Sequence, residues 1–204
     1  RRFADVTSTD YVGALLARGS ERAKAEGLAV SFLEADAENL PFADGSFDAA
    51  LSTFGVMFAP NQAKSAAELA RVVRKGGRIG LASWTPESFI GQLFKVIGKH
   101  LPPPAGLMAP ALWGSEARLA ELFPGCRIKA STEVFNFRYR SARHWLDVFR
   151  TYYGPTNRSF AALDGEKQKA LEADILDLIG RCQRLGGTAL VVPSAYLEAV
   201  IVKA

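Results

Sequence analysis

Short apolar and β-branched runs at residues 3–9, 30–33 and 47–53 each give way to acidic or small polar residues, a pattern that predicts strands. Between the first two, Val12, Leu15, Leu16 and Ala23 recur at helical spacing and Gly27 closes the stripe. Ala63, Ala66, Ala67, Ala70 and Val73 predict one face of a helix that Gly76-Gly77 stops, and residues 78–84 read as a buried strand. Pro86 opens a further helix with Ile90, Leu93, Phe94 and Ile97 on one face, ended by the prolines at 102–104. Ser115 caps a short helix that runs to Phe123. Residues 126–140 are strand-like, and their alternation changes phase near Glu133, which predicts a bulge or bend. An aromatic segment follows (Trp145, Phe149, Tyr152, Tyr153, Phe160), then an amphipathic helix through Leu171, Ile175, Leu178, Cys182 and Leu185. After Gly186-Gly187 the chain ends in strand-like residues 196–202.

The stretch from Val30 to Ser52 organises the rest. Its first strand ends in the acidic group Glu34, Asp36 and Glu38, a turn passes through Pro41 and Asp44-Gly45, and a second strand begins at Phe47. Open α/β sheets bind ligands outside the C-terminal ends of such strands. Asp36 sits where a backbone amide and a carboxylate both face a ligand's polar rim, so the stretch reads as half of a nucleoside-binding edge; a plain turn or cap is the local alternative. The run Gly76-Gly77-Arg78-Ile79-Gly80 is not a dinucleotide loop, because it follows a helix and precedes a strand instead of the reverse.

Composition narrows the classes. A chain of 204 residues with 49% hydrophobic content buries one sizeable core, as one domain with an elaboration. The net charge of +4 is spread along the chain and does not point to nucleic acid. No apolar run approaches the roughly 20 residues that span a bilayer. Cys126 and Cys182 stand apart with no CxxC, and His100 and His144 are the only histidines, which leaves little material for a disulfide framework or a metal site. A cytoplasmic location is the expectation.

The linked motifs Asp36-Ala37-Glu38-Asn39-Leu40-Pro41-Phe42, Asp44-Gly45-Ser46-Phe47-Asp48 and Ala67-Glu68-Leu69-Ala70-Arg71-Val72-Val73-Arg74-Lys75-Gly76-Gly77 resemble class I S-adenosylmethionine-dependent methyltransferases, specifically the ubiquinone/menaquinone-biosynthesis-like branch. The similarity runs from the first residue to about Trp84 and loosens beyond. It implies an α/β fold, Rossmann-like and doubly wound, with a mostly parallel sheet, an antiparallel C-terminal strand and a helical, aromatic insertion before that strand. It implies a single domain over residues 1–204, with part of the cofactor-binding core in 1–84 and substrate-cover helices and the last strands in 85–204. The family's first strand, glycine-rich loop and first helix are expected to precede Arg1.

By the same resemblance S-adenosylmethionine is the cofactor. Asp10 accepts from both ribose hydroxyls, a task suited to a carboxylate because it is acceptor-only, although Asp10 also suits a helix cap. Tyr11 is a candidate to lie against the adenine face, with simple packing the alternative; Asp36 receives the adenine amino group and the Ala37 amide donates to a ring nitrogen. Ser52, Thr53 and Phe54 lie beneath the cofactor. Met57, Trp84, Trp145 and Tyr152 are the candidates for the wall of a small, apolar or aromatic methyl acceptor, with core packing the alternative. His144, Tyr152 and Tyr153 are weak candidates for a base, should the acceptor have to lose a proton. The aromatic segment is expected to close a pocket with Asp10, Asp36 and Ser52. The expected partner is a small molecule, with neither nucleic acid nor membrane insertion, and with a homodimer left open. Two other readings compete: a nicotinamide-dependent oxidoreductase, against which no Tyr has Lys four residues later, and a non-catalytic binding or scaffold relative, since fold alone does not fix function.

Overall fold

The computed structural model describes residues 4–184 and 189–204; Phe3, Leu185, Gly186 and Gly187 lie outside the described residues. The elements in order are β1 (Thr7–Asp10), α1 (Gly13–Ala25), β2 (Ser31–Glu34), β3 (Phe47–Thr53), α2 (Gln62–Val72), β4 (Val73–Trp84), α3 (Phe89–His100), α4 (Glu116–Leu122), β5 (Arg127–Tyr139), α5 (Ala142–Tyr152), α6 (Gly154–Ala162), α7 (Gly165–Cys182) and β6 (Leu190–Val202). Local chemistry sets many helix starts. Asn61, Ser88, Ser115, Ser141 and Asp164 each accept a backbone N–H of the first turn, at 3.0–3.2 Å. Ser88, two residues after the expected Pro86, is thus the residue that opens α3.

The strands form an α/β arrangement in two groups. β1 and β2 pair in parallel, and the four-stranded sheet has the order β3-β4-β6-β5. β3 and β4 are parallel, while β6 runs antiparallel to both β4 and β5. Therefore β3, β4 and β5 share one direction and the C-terminal strand alone opposes them. Among the described residues β1 pairs only with β2, and β3 only with β4.

Ile79, Leu81, Leu197, Ala199 and Ile201 alternate along β4 and β6 and are buried. The other face carries Trp84, Phe137 and Val192, and α3 and α5 cover it through Phe89, Trp145 and Phe149. That cover stops partway down the sheet: Leu51, opposite Gly80, is 80% exposed and Val200 is exposed beside it.

Five expectations change. Gly76-Gly77 does not stop α2, which ends at Val72; both glycines lie within β4, where Val73 pairs with Phe47 and Arg78 with Ala49. The chain loops outward between those pairs, Gly76 with φ +72°, and a Cβ on Gly77 would lie 2.7 Å from the Asp48 carbonyl oxygen. Near Glu133 there is no bulge, because β5 keeps one unbroken register with β6. The phase change instead marks a switch of covered face, from half-buried Ile128 and Ala130 to buried Phe137. The stripe on α1 is mostly open, with Ala23 its buried residue and Val12 and Leu15 exposed. Finally, β1 closes on Asp10 itself, and β6 begins at Leu190, six residues before the expected start.

Two glycines let other elements approach the C-terminal end of β4. A Cβ on Gly114 would sit 2.2 Å from the Trp84 carbonyl oxygen, and one on Gly91 would sit 2.3 Å from that of Thr85. Both neighbours are backbone, so neither can swing aside. Gly114→Ala is expected to lower stability by about 1–3 kcal/mol, the usual cost of overpacking, as read from urea unfolding at neutral pH.

Candidate functional site

The end of β1 and the loop after β2 repeat one device. Asp10 Oδ1 accepts the N–H of Val12 at 2.8 Å, and Asp36 Oδ1 accepts the N–H of Glu38 at 2.8 Å. Each is an Asx turn, in which a short carboxylate satisfies the amide two residues on. One oxygen of each carboxylate fixes the turn and the second remains as an acceptor. The two turns are neighbours: Asp10 pairs with Glu34 in the parallel ladder, and Ala35 N–H donates to the Asp10 carbonyl at 3.1 Å. Asp10 therefore holds its turn and keeps an acceptor at the same time. Tyr11 projects outward, 76% exposed, while Ala37 packs partly into the core.

The end of β3 is more tightly built. Ser52 Oγ accepts the Val56 N–H at 2.9 Å and so starts the 3-10 turn Val56–Phe58. Phe54 has φ +55°, in the left-handed region. For a residue other than glycine this conformation costs on the order of 1–3 kcal/mol and persists only where the surroundings impose it. Here they do: Phe54 N–H donates to the Ala82 carbonyl at 2.8 Å, its ring stacks on Trp84 at 4.2 Å and it meets Tyr196 edge-on at 5.5 Å. Thr53 is exposed beside it. Met57, by contrast, is 1% exposed and belongs to the core.

The aromatic segment lies against the same group. Trp84 contacts Phe137 at 5.7 Å, Phe137 contacts Phe149 at 5.6 Å, and Phe149 stacks on Trp145 at 3.8 Å and touches Tyr153 at 4.9 Å. A continuous run of rings thus joins the end of β4 to α5. Trp145 is fully buried, and its indole N–H and the hydroxyl of Tyr153 have no hydrogen-bond partner in the described structure. Burial pushes the Tyr153 hydroxyl well above the usual tyrosine range, so it keeps its proton. Tyr152 is 76% exposed on the outside of α5. His144 Nδ1 accepts the Arg140 N–H at 3.3 Å and its ring meets Tyr139 at 5.5 Å, so its contacts lie at the β5–α5 junction, at the C-terminal end of β5. Ser52, Phe54 and Trp84 are therefore brought together, Trp145 and Tyr153 are reached through Phe137 and Phe149, His144 is reached through Tyr139, which contacts Phe149 at 6.4 Å, and exposed Tyr152 stands outside the run.

A cavity of ≈ 630 Å³ lies beside the start of α2, lined by residues 60–63, residues 104–108 and Arg118. Among the described residues no group of three or more His, Cys, Asp or Glu is placed to hold a metal, and no helix is long and apolar enough to cross a membrane.

Two residues that periodicity does not single out fasten the Asp36 loop. Glu68 and Arg71, one turn apart on α2, hold the backbone of Leu40 and Phe42. The Arg71 guanidinium and the Leu40 amide keep the Glu68 carboxyl below its usual range, against a smaller opposing effect of burial. The i, i+3 spacing of opposite charges was the available signal, but it reads equally well as a solvated helix pair.

Comparison with known proteins gives four findings. Residues 1–81 match the family described as "Methyltransferase domain". An uncharacterized protein of Mycobacterium tuberculosis is 39% identical over 182 residues, covering 86% of this chain and 66% of that protein; the chain thus spans just under two thirds of that relative's length. A demethylmenaquinone methyltransferase of Thermus thermophilus is 35% identical over 120 residues, covering 58% of this chain and 54% of its own. In fold, the chain is similar to the crystal structure of a putative methyltransferase of Bacillus halodurans, with a TM-score of 0.65, 18% identity and coverage of 98% of this chain and 83% of that one.

Proposed function

Through residues 1–81 the chain belongs to the methyltransferase-domain family, with the class I S-adenosylmethionine-dependent methyltransferase fold, and from that premise we propose that it transfers a methyl group from S-adenosylmethionine to a small apolar or aromatic acceptor. The observation that carries the reading is the pair of Asx turns: Asp10 and Asp36 stand at adjacent strand ends with one carboxylate oxygen each held inward and one left as an acceptor. That pair of acceptors fits the cofactor. Ribose hydroxyls and an adenine amino group are donors, and carboxylate oxygens are their natural partners.

In this reading Asp10 holds the ribose, Asp36 and the amide of Ala37 hold the adenine edge, and Tyr11 lies along the ring. The bound cofactor supplies an activated methyl on a sulfonium. The chain's own residues then align and dehydrate. Phe54, Trp84 and Tyr196 form an apolar wall at the ends of β3 and β4 that excludes water beside a planar acceptor. Alignment of this sort accounts for ~7–11 kcal/mol of barrier lowering in well-oriented reactions; the methyl leaves as S-adenosylhomocysteine forms, and the proton that an aromatic acceptor sheds passes to bulk water. The quinone-precursor relative supports an aromatic acceptor. A cytoplasmic protein acting on a free small molecule completes the proposal.

The test is product formation. Full-length protein incubated with methyl-labelled S-adenosylmethionine and a panel of hydroquinones, phenols and aliphatic amines is expected to yield S-adenosylhomocysteine with one of the aromatic acceptors. Turnover confined to the amines would overturn the assignment of acceptor class.

A further inference from the structure

The loop carrying Asp36 has little core of its own. From Asp36 to Ser46 its residues are exposed or half-buried, and Ala37, Leu40 and Phe42 are its apolar anchors. It is nevertheless held at both ends of α2. At the start, Glu38 Oε1 accepts the Asn61 N–H at 2.6 Å. Near the end, one ion pair takes over the loop backbone. Arg71 Nη2 donates to the Leu40 carbonyl at 2.9 Å, Nη1 donates to the Phe42 carbonyl at 2.7 Å and to Asp44 at 2.8 Å, and Glu68 Oε2 accepts the Leu40 N–H at 2.7 Å. Arg71 Nε and Nη2 in turn grip both oxygens of Glu68 at 2.7 and 2.8 Å. Both backbone groups of Leu40 are thus taken by side chains of one helix turn. The Gly45 N–H closes the clasp on the Arg71 carbonyl at 2.9 Å.

We propose that Arg71, working with Glu68, is a positioning residue for the nucleoside of the cofactor: it fixes the Asp36 turn at the height where its free oxygen meets the ligand. This rests on the reading of Asp10 and Asp36 given above. The geometry favours positioning over simple stability for two reasons. The pair grips backbone of the loop, not another helix or strand, so its energy goes into where the loop sits. Its partners also need a fork. A planar guanidinium reaches two carbonyls and two carboxylates at once, which a single ammonium cannot do. The pair is half-buried, with Glu68 and Arg71 side chains 16% and 30% exposed, so solvent screens it less than a surface pair.

Calorimetric titration of S-adenosylmethionine into the full-length protein, at a temperature well below every variant's melting point, tests this. Arg71→Gln is expected to raise Kd about tenfold, with the loss appearing in the KM for cofactor and not in kcat, and Arg71→Lys is expected to restore part of it. Residues acting through one contact are non-additive. Arg71→Gln in an Asp36→Ala background should therefore weaken binding no further than Asp36→Ala alone, within about twofold. A role in stability alone would lower the melting point of Arg71→Gln with Kd unchanged, and that result would overturn the proposal. Full additivity with Asp36→Ala would do so as well. Should Arg71→Gln not fold, Arg71→Lys and Glu68→Gln carry the same comparison. Wild-type protein that fails to bind would instead bring down the cofactor reading on which this stands.

Discussion

Asp10→Asn should raise the Kd for S-adenosylmethionine about a hundredfold and leave the fold unchanged. The asparagine keeps an oxygen that accepts the Val12 N–H, which the aspartate now does at 2.8 Å, so the turn into α1 survives. What changes is the outward atom. An acceptor becomes an amide NH2, and donors then face the ribose hydroxyls. Hydrogen bonds to a charged group contribute roughly 1.5–3 kcal/mol each, so losing a ribose diol from a carboxylate amounts to a factor of about a hundred or more. Asp10→Ala is a poorer probe because it removes the turn and the ligand contact together. Calorimetry with S-adenosylmethionine, paired with circular dichroism on the free variant, reads the outcome. An affinity within about twofold of wild type would reduce Asp10 to the turn residue that its hydrogen bond already shows it to be.

Trp84→Ala should have the largest effect on stability. The indole is 7% exposed and contacts Phe54, Phe135, Phe137 and Tyr196. Replacing a buried tryptophan by alanine costs about 3–5 kcal/mol, which in a domain of this size lowers the melting temperature by about 6–20 °C. The cost has a second part. Phe54 keeps its left-handed backbone because its ring is stacked on Trp84 at 4.2 Å; without the indole that turn can relax and carry Ser52 with it. Cofactor binding should therefore weaken in the folded fraction as well. Thermal melting followed by calorimetry well below the new midpoint separates the two effects. Trp84→Phe, which keeps a ring at the site, is expected to lose less of both.

The parts legible in the sequence were those set by local chemistry. The strand ending near Asp10, the acidic turn at Asp36 and the cap at Ser115 follow from two- or three-residue patterns, and each is found in place. What sequence reasoning missed depends on distant partners. Gly76-Gly77 looks like a helix stop from one side alone; in place, Gly76 takes a positive φ and Gly77 leaves no room for a Cβ against Val73 and the Asp48 carbonyl of β3. The phase change at Glu133 looks like a bulge until the helices that cover each half of β5 are known. Val12 and Leu15 suggested a buried stripe, yet no element covers them among the described residues. Glu68 and Arg71 resemble an ordinary surface pair because nothing in helical periodicity shows that their partners are backbone atoms 28 to 31 residues earlier. Left-handed Phe54 gave no signal at all, since its conformation is imposed by Trp84 and Ala82 from the neighbouring strand.

The central claim is that Asp10 and Asp36 form the nucleoside edge of an S-adenosylmethionine site. The most direct measurement is a competition titration on the full-length protein, with S-adenosylhomocysteine, adenosine and NADH offered in turn to wild type, Asp10→Asn and Asp36→Ala. The account predicts that wild type binds S-adenosylhomocysteine, that adenosine competes for the same site, that both substitutions weaken both ligands in parallel, and that NADH does not compete. Tight NADH binding that both substitutions abolish, with no affinity for S-adenosylhomocysteine, would contradict it.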